Sequence, residues 1–244
     1  MRRIFVFLWL GLLAGCGTVN EPINVEPGGV VEGDLRSVNG AVTIGDGARV
    51  SGSLSNVNGP IDIGERASVG AITSVNGRIT LQAGADAGQV ESVNGAITLA
   101  SEVAIGGDVT AVNGSIEVGE SSRIDGDVTT VNGSVALSPN AQVQGKVANV
   151  RGKIRLDGAL VDQIETTAGS IELTGTTTVE GQLWVKAPRN DSSDVPRIVI
   201  GPEVTVGGPL QFDREVELLI HDNATVGEII GAEPECFSCE ITDL

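Results

Sequence analysis

TTVNGSVALSPNAQVQG, residues 129–145, passes through an Asn-Gly pair and then runs in short apolar steps. The triplet Val131-Asn132-Gly133 is one of six VNG triplets in the chain. Aligned on it, Asn39, Asn58, Asn76, Asn94, Asn113 and Asn132 form one column, with separations of 19, 18, 18, 19 and 19 residues. Degenerate copies follow at Val150-Arg151-Gly152 and Ala168-Gly169. A second column, aliphatic–x–Gly–x–aliphatic, keeps the same period through pairs such as Val50/Leu54, Ile105/Val109 and Val206/Leu210. Some copies are contracted by one residue, as at Val69/Ile72. Together they give eleven copies between residues 28 and 231. A repeat at this period is the signature of a solenoid.

Within each period the apolar residues recur at about one third of the spacing. Val57, Ile63, Val69, Val75, Leu81, Ala87, Val93, Leu99 and Ile105 stand six apart, and Val112, Val118, Ile124, Val131, Leu137, Val143 and Val150 continue the series in steps of six or seven. A further apolar or small residue sits two before most of them. Alternation over four or five residues is a half-buried strand. Three such strands per period, joined at corners, predict an all-β, single-stranded parallel β-helix of about eleven 18–19-residue coils. Parallel crossovers are right-handed in about 98% of cases, so the expected hand is right.

In this reading each VNG valine is a rung of the core and each glycine permits a corner, with Asn-Gly in left-handed conformations. The asparagines then stack about 4.8 Å apart and exchange amide hydrogen bonds. Composition agrees. There are 34 glycines, no tyrosine, four phenylalanines and two tryptophans, which suits a narrow core filled by aliphatic stacks.

The chain opens MRRIFVFLWLGLLAGCG, with Arg2 and Arg3, an apolar run from Ile4 to Ala14, and Cys16. This run is shorter than the roughly 20 residues that span a bilayer and has the order of a secretory signal peptide, here residues 1–15. Leu13-Ala14-Gly15-Cys16 resembles the lipobox of bacterial lipoproteins. The resemblance implies lipidation of Cys16 and an envelope protein anchored in a membrane by its N-terminal lipid. Gly17, where aspartate signals inner-membrane retention, implies the outer membrane, on its periplasmic or outer face. Residues 17–27 read as a short tether. Removing Arg2 and Arg3 from the fifteen basic residues leaves thirteen against 32 acidic ones, a net charge near −19. Such a body repels nucleic acid and anionic headgroups.

With GARVSGSL (47–54), VVEGDL (30–35) and SRIDGDV (122–128) feeding strands of the VNGAVTI type (38–44), residues 28–231 resemble a bactofilin or polymer-forming domain. They are also similar to the head-domain β-helices of bacterial adhesins and to exported lipoproteins with tandem VNG repeats. Bactofilins imply end-to-end self-association into filaments without nucleotide. They are cytoplasmic, however, whereas this chain carries an export signal. The expected role is a non-enzymatic envelope scaffold or self-assembling module. The alternatives are an adhesin-like module binding envelope glycan, against which the scarcity of aromatic residues counts, and a β-helix acyltransferase or polysaccharide-acting enzyme.

Candidate chemistry is sparse. No G-x-S-x-G, P-loop or H-E-x-x-H occurs, so no catalytic residue, cofactor or metal ligand set is expected. Cys236 and Cys239 form a C-x-x-C in the tail 232–244, read as a local disulfide in an oxidising compartment; a zinc site needs four ligands. His221, the only histidine, is expected to be exposed near a corner. Asp34, Asp108 and Asp127 share a column and read as a solvated face, with divalent-cation binding the competing account. Thr43, Asp62, Thr80, Thr98, Glu117 and Ala136 form another outward column. One insertion, residues 187–197, breaks the period with Pro188 and Pro196 and is expected to protrude.

Overall fold

The computed structural model describes residues 16–18, 21–188 and 194–237, with side chains from residue 21 onward. It is a parallel β-solenoid of about eleven turns with no helix among the described residues. Every strand pairing is parallel and joins one period to the next, as in Ile79↔Ile97 and Ile97↔Ile116. Each regular coil has three sides. In one coil these are a short side, Ala104–Ile105, a VNG side, Val109–Asn113, and a third side, Ile116–Val118. Stacked, the third sides make a 12-stranded sheet, while the other two columns join in a 21-stranded one. In the coil containing Gln142–Arg151, the short and VNG sides fuse into one ten-residue strand with an irregularity between Val143 and Lys146. At one strand spacing per coil, the rod is roughly 50 Å long.

Two residues per side point inward. In the coil above, Val103 and Ile105, Val109 and Ala111, and Ile116 and Val118 are all buried. Burying each of the larger aliphatics contributes about 1.5–3 kcal/mol. The six-residue series is therefore correct for Ile63, Val69, Leu81, Ala87, Leu99 and Ile105, all in the core.

It fails at every third member. The VNG valines Val38, Val57, Val75, Val93, Val112, Val131 and Val150 point outward, each 36–40% exposed. The reason is strand phase. Val109 and Val112 are three apart, so they face opposite sides, and the corner after Ile105 commits Val109 to the core. The inward partner is then the residue before each valine: Ser37, Asn56, Ser74, Ser92, Ala111, Thr130 and Asn149, all buried. Several of these polar side chains hold the adjacent corner. Asn56 Nδ2 donates to the carbonyls of Gly40 (2.9 Å) and Gly59 (3.0 Å). Thr130 Oγ1 donates to the Gly114 carbonyl (3.0 Å).

The corners are also redistributed. At Asn-Gly only Gly40 (φ 154°) and Gly59 (131°) have positive φ, with Gly152 (110°) in the degenerate copy; the recurrent left-handed position is at the turn from the third side into the next short side. Gly47 (φ 64°), Arg66 (54°), Gly84 (67°), Glu102 (59°), Ser121 (58°) and Asn140 (60°) occupy that column in successive coils. Each is the third residue of a turn such as Ser138–Ala141, closed by Ala141 N–H donating to the Ser138 carbonyl (3.1 Å). Proline precedes the left-handed residue at Pro27, Pro139 and Pro202, as the second position of a type II turn favours.

The later VNG glycines, Gly77 to Gly133, serve closeness of approach instead. A Cβ at Gly77, Gly95, Gly114 or Gly133 would lie 1.9–2.1 Å from the carbonyl oxygen of the glycine one coil earlier. The repeat glycine is what lets coil stack on coil.

Both ends extend beyond the expected limits. Cys16–Thr18 pairs with Leu35–Ser37, and Ile23–Val25 with Val42–Ile44. Part of the segment expected to be a tether thus adds strands to the stack. At the other end Glu235–Phe237 pairs with Leu219–His221 as the last rung of the third side.

Candidate functional site

The asparagine ladder forms as the column spacing requires. Asn58 Nδ2 donates to Asn39 Oδ1 (2.8 Å), Asn76 to Asn58 (3.0 Å), Asn94 to Asn76 (3.0 Å), Asn113 to Asn94 (3.0 Å) and Asn132 to Asn113 (2.9 Å). Arg151 takes the next rung, paired with Asn132 in the strand register. Beside the ladder runs the row of seven exposed valines. The two rows end together at Val150 and Arg151.

The aspartate column has a structural duty. Asp34 Oδ1 accepts from Ser53 N–H (2.9 Å), Asp108 Oδ1 from Asp127 N–H (2.9 Å) and Asp127 Oδ1 from Lys146 N–H (3.0 Å). Asp46 does the same at another corner, accepting from Glu65 N–H (2.9 Å). In each case a carboxylate on one coil accepts a backbone donor of the next. Among the described residues no cluster of three or more His, Cys, Asp or Glu side chains is placed to hold a metal ion.

His221 departs from expectation. It is only 7% exposed. Its Nδ1 accepts from Asn223 N–H (3.1 Å), and its ring stands edge-on to Phe237 with centroids 5.3 Å apart. The final strand covers it, and a position near a corner did not reveal that cover. Cys236, on the same strand, is exposed and free; Cys239 lies outside the described residues, as does the leader 1–15.

The insertion leaves the rod between Leu183–Val185 and Arg197–Ile200, at the corner where Asn-Gly stands in earlier coils. Residues 189–193 lie outside the described ones. The returning limb is tied down by Arg214, whose guanidinium donates to the carbonyls of Thr167 (3.2 Å) and Asp194 (2.5 Å). At its outgoing limb, half-buried Trp184 donates from Nε1 to Asp213 Oδ2 (2.7 Å). Lys186 lies over the Trp184 ring, 4.3 Å from its centre, and pairs with Glu165. These polar groups anchor the arm and satisfy one another. The sequence signal was the cluster of non-aliphatic residues around the lengthened period.

A shallow depression of about 480 Å³ lies on the third side, lined by Ser134, Lys153, Ser170, Glu172, Arg197 and Val199. Its cations are already partnered: Lys153 with Glu172, which Arg155 also pairs from outside the depression (2.9 Å), and Arg197 with Glu217 (3.2 Å). The hydrogen bond from Lys153 holds the Glu172 carboxyl below its ordinary 4.5; burial opposes this, and the charges of Lys153 and Arg155 add to it. A carboxylate lowered by folding stabilises fully above its unfolded pKa. The stabilisation is lost as pH falls through the lower folded value. Lys153→Met is therefore expected to flatten the acid limb of the melting temperature against pH below about 4.5, leaving the neutral limb parallel to wild type.

Fold and surfaces together define a parallel β-solenoid protein. Compared with known proteins, the chain matches no family model, no curated protein and no solved structure at a significant level.

Proposed function

We propose that the protein is an exported cell-envelope lipoprotein, anchored through a lipid on Cys16, whose β-solenoid is a non-enzymatic rigid scaffold of the kind used by bactofilin-like polymer-forming modules. The observation that carries this reading is the commitment of the polar columns to stacking. Asparagine amides bond along the rod, and corner aspartates hold the next coil's backbone. These groups build stiffness coil by coil, in the nearest-neighbour manner of solenoids. The leader and the lipobox-like Leu13–Cys16 supply the address. The strand beginning at Cys16 pairs with the coil that follows, so a lipid there would join the membrane to the end of the rod.

The test is metabolic labelling with an alkyne fatty acid in a host that processes lipoproteins, followed by membrane fractionation. Label on the wild type and its loss in Cys16→Ala, with release from the outer-membrane fraction, is the expected result. Label that survives Cys16→Ala would refute the anchor. Electron microscopy of the purified protein tests the scaffold, with stiff particles of roughly 50 Å, alone or joined, as the expected images; collapsed or bent particles would count against it.

A further inference from the structure

The exposed valine row asks for an explanation that packing within one rod does not supply. The outward column of the third side varies freely, reading Thr43, Asp62, Thr80, Thr98, Glu117 and Ala136 along the same coils. The VNG column keeps valine in seven successive coils although each is exposed. We infer that this row is the contact surface of a side-by-side pair of copies, running parallel and in register.

Three observations choose a second copy as the occupant. The first is charge. The whole chain carries 32 acidic and 15 basic residues, so most faces of two copies repel. Over the seven coils, the valine row and the columns flanking it on the same strands contain only Arg36, Glu91 and Arg151 as charged residues, a net +1. This is a face where two acidic rods can meet. The second is period. The row repeats once per coil, and a copy of the same rod presents a matching period. The third is area. The valines, the amides and the flanking hydroxyls together offer on the order of 800 Å², one partner's share of a standard interface.

The chemistry of the flanking columns sets the direction. A two-fold axis along the rods lays valine on valine and brings each flanking column against the other copy's asparagines. Coil by coil this sets Thr73 across from Asn76, Glu91 from Asn94 and Thr110 from Asn113, which are donor–acceptor pairs. An amide has two N–H donors and two acceptor lone pairs, and the ladder bonds of an interior asparagine use one of each. An antiparallel pair would instead set Glu91 against Glu91 near its centre. The interface is isologous, as two-fold pairing demands, and it requires nothing of Cys16 or the membrane.

The experiment is cysteine cross-linking of the full chain carrying Cys16→Ser, Cys236→Ser and Cys239→Ser, with sedimentation as a second readout. Val38→Cys, Val93→Cys and Val150→Cys should each yield a covalent homodimer under mild oxidation. Thr98→Cys, on the third side, should give at least tenfold less. Without added cysteines the chain should sediment as a dimer. Val75→Lys/Val93→Lys/Val112→Lys should halve that mass while keeping the β circular dichroism. Cross-linking at Val93 without Val38 and Val150 would overturn the parallel register. A monomer at tens of micromolar, or an unchanged dimer in the lysine variant, would overturn the interface.

Discussion

Gly95→Ala is expected to lower the rod's stability by roughly 3 kcal/mol, a cost at the upper end of overpacking. For a chain of this size that is a fall of about 10 °C in melting temperature. The new Cβ would lie 2.1 Å from the Gly77 carbonyl oxygen and 2.6 Å from its carbon. Both are backbone atoms of the previous coil, so relief requires the coils to separate. Separation strains the amide bonds of Asn94 to Asn76 and of Asn113 to Asn94 in the same corner. Gly47→Ala is the contrast. Gly47 has open space around its Cβ direction but a φ of 64°, so the substitution bears only the left-handed penalty of about 1–2 kcal/mol. Thermal melts followed by circular dichroism compare the two. A larger loss at Gly47 than at Gly95 would show that the stacked coils make room for a Cβ at the VNG corner at little cost.

The second large effect separates residues that look alike in the repeat. Ile97→Ala is expected to cost about 3 kcal/mol, as large-to-small changes in a closed core do. Ile97 is fully buried and stacks between Ile79 and Ile116. Val93→Ala, four residues earlier, should cost about half a kcal/mol, in the range of surface changes, because Val93 is 40% exposed. Denaturant titration of the two variants, each made in a monomeric Val75→Lys/Val112→Lys background so that pairing of copies does not contribute, measures the gap. Equal losses would return the VNG valine to the core and remove the exposed row.

The solenoid was legible because it is a rule written many times. A period of 18 or 19 residues with alternating short strands admits few shapes. The asparagine column was legible for the same reason, since equal spacing along the chain becomes direct superposition in the stack. The aspartates were placed correctly in a column, but their partners are backbone N–H groups one coil away, which no side-chain pattern records. His221 was misread because its cover comes from Phe237 on the closing strand. The anchoring of the insertion by Arg214, reaching Thr167 and Asp194, joins residues far apart in sequence and outside the repeat.

The sequence by itself determined the repeat, the three-sided coil, the stacking of identical residues and the break at 187–197, because periodicity carries those directly. The tertiary structure alone decided which alternate residue of the VNG strand faces inward. A strand of period two can be phased either way. Hydrophobicity favoured valine over the serine, asparagine or threonine before it. Closing the triangle committed Val109 and its equivalents to the core, and corner carbonyls accept hydrogen bonds from three of those polar neighbours, Asn56, Ser74 and Thr130. The valine was turned outward by the geometry of the corner, against its own hydrophobicity.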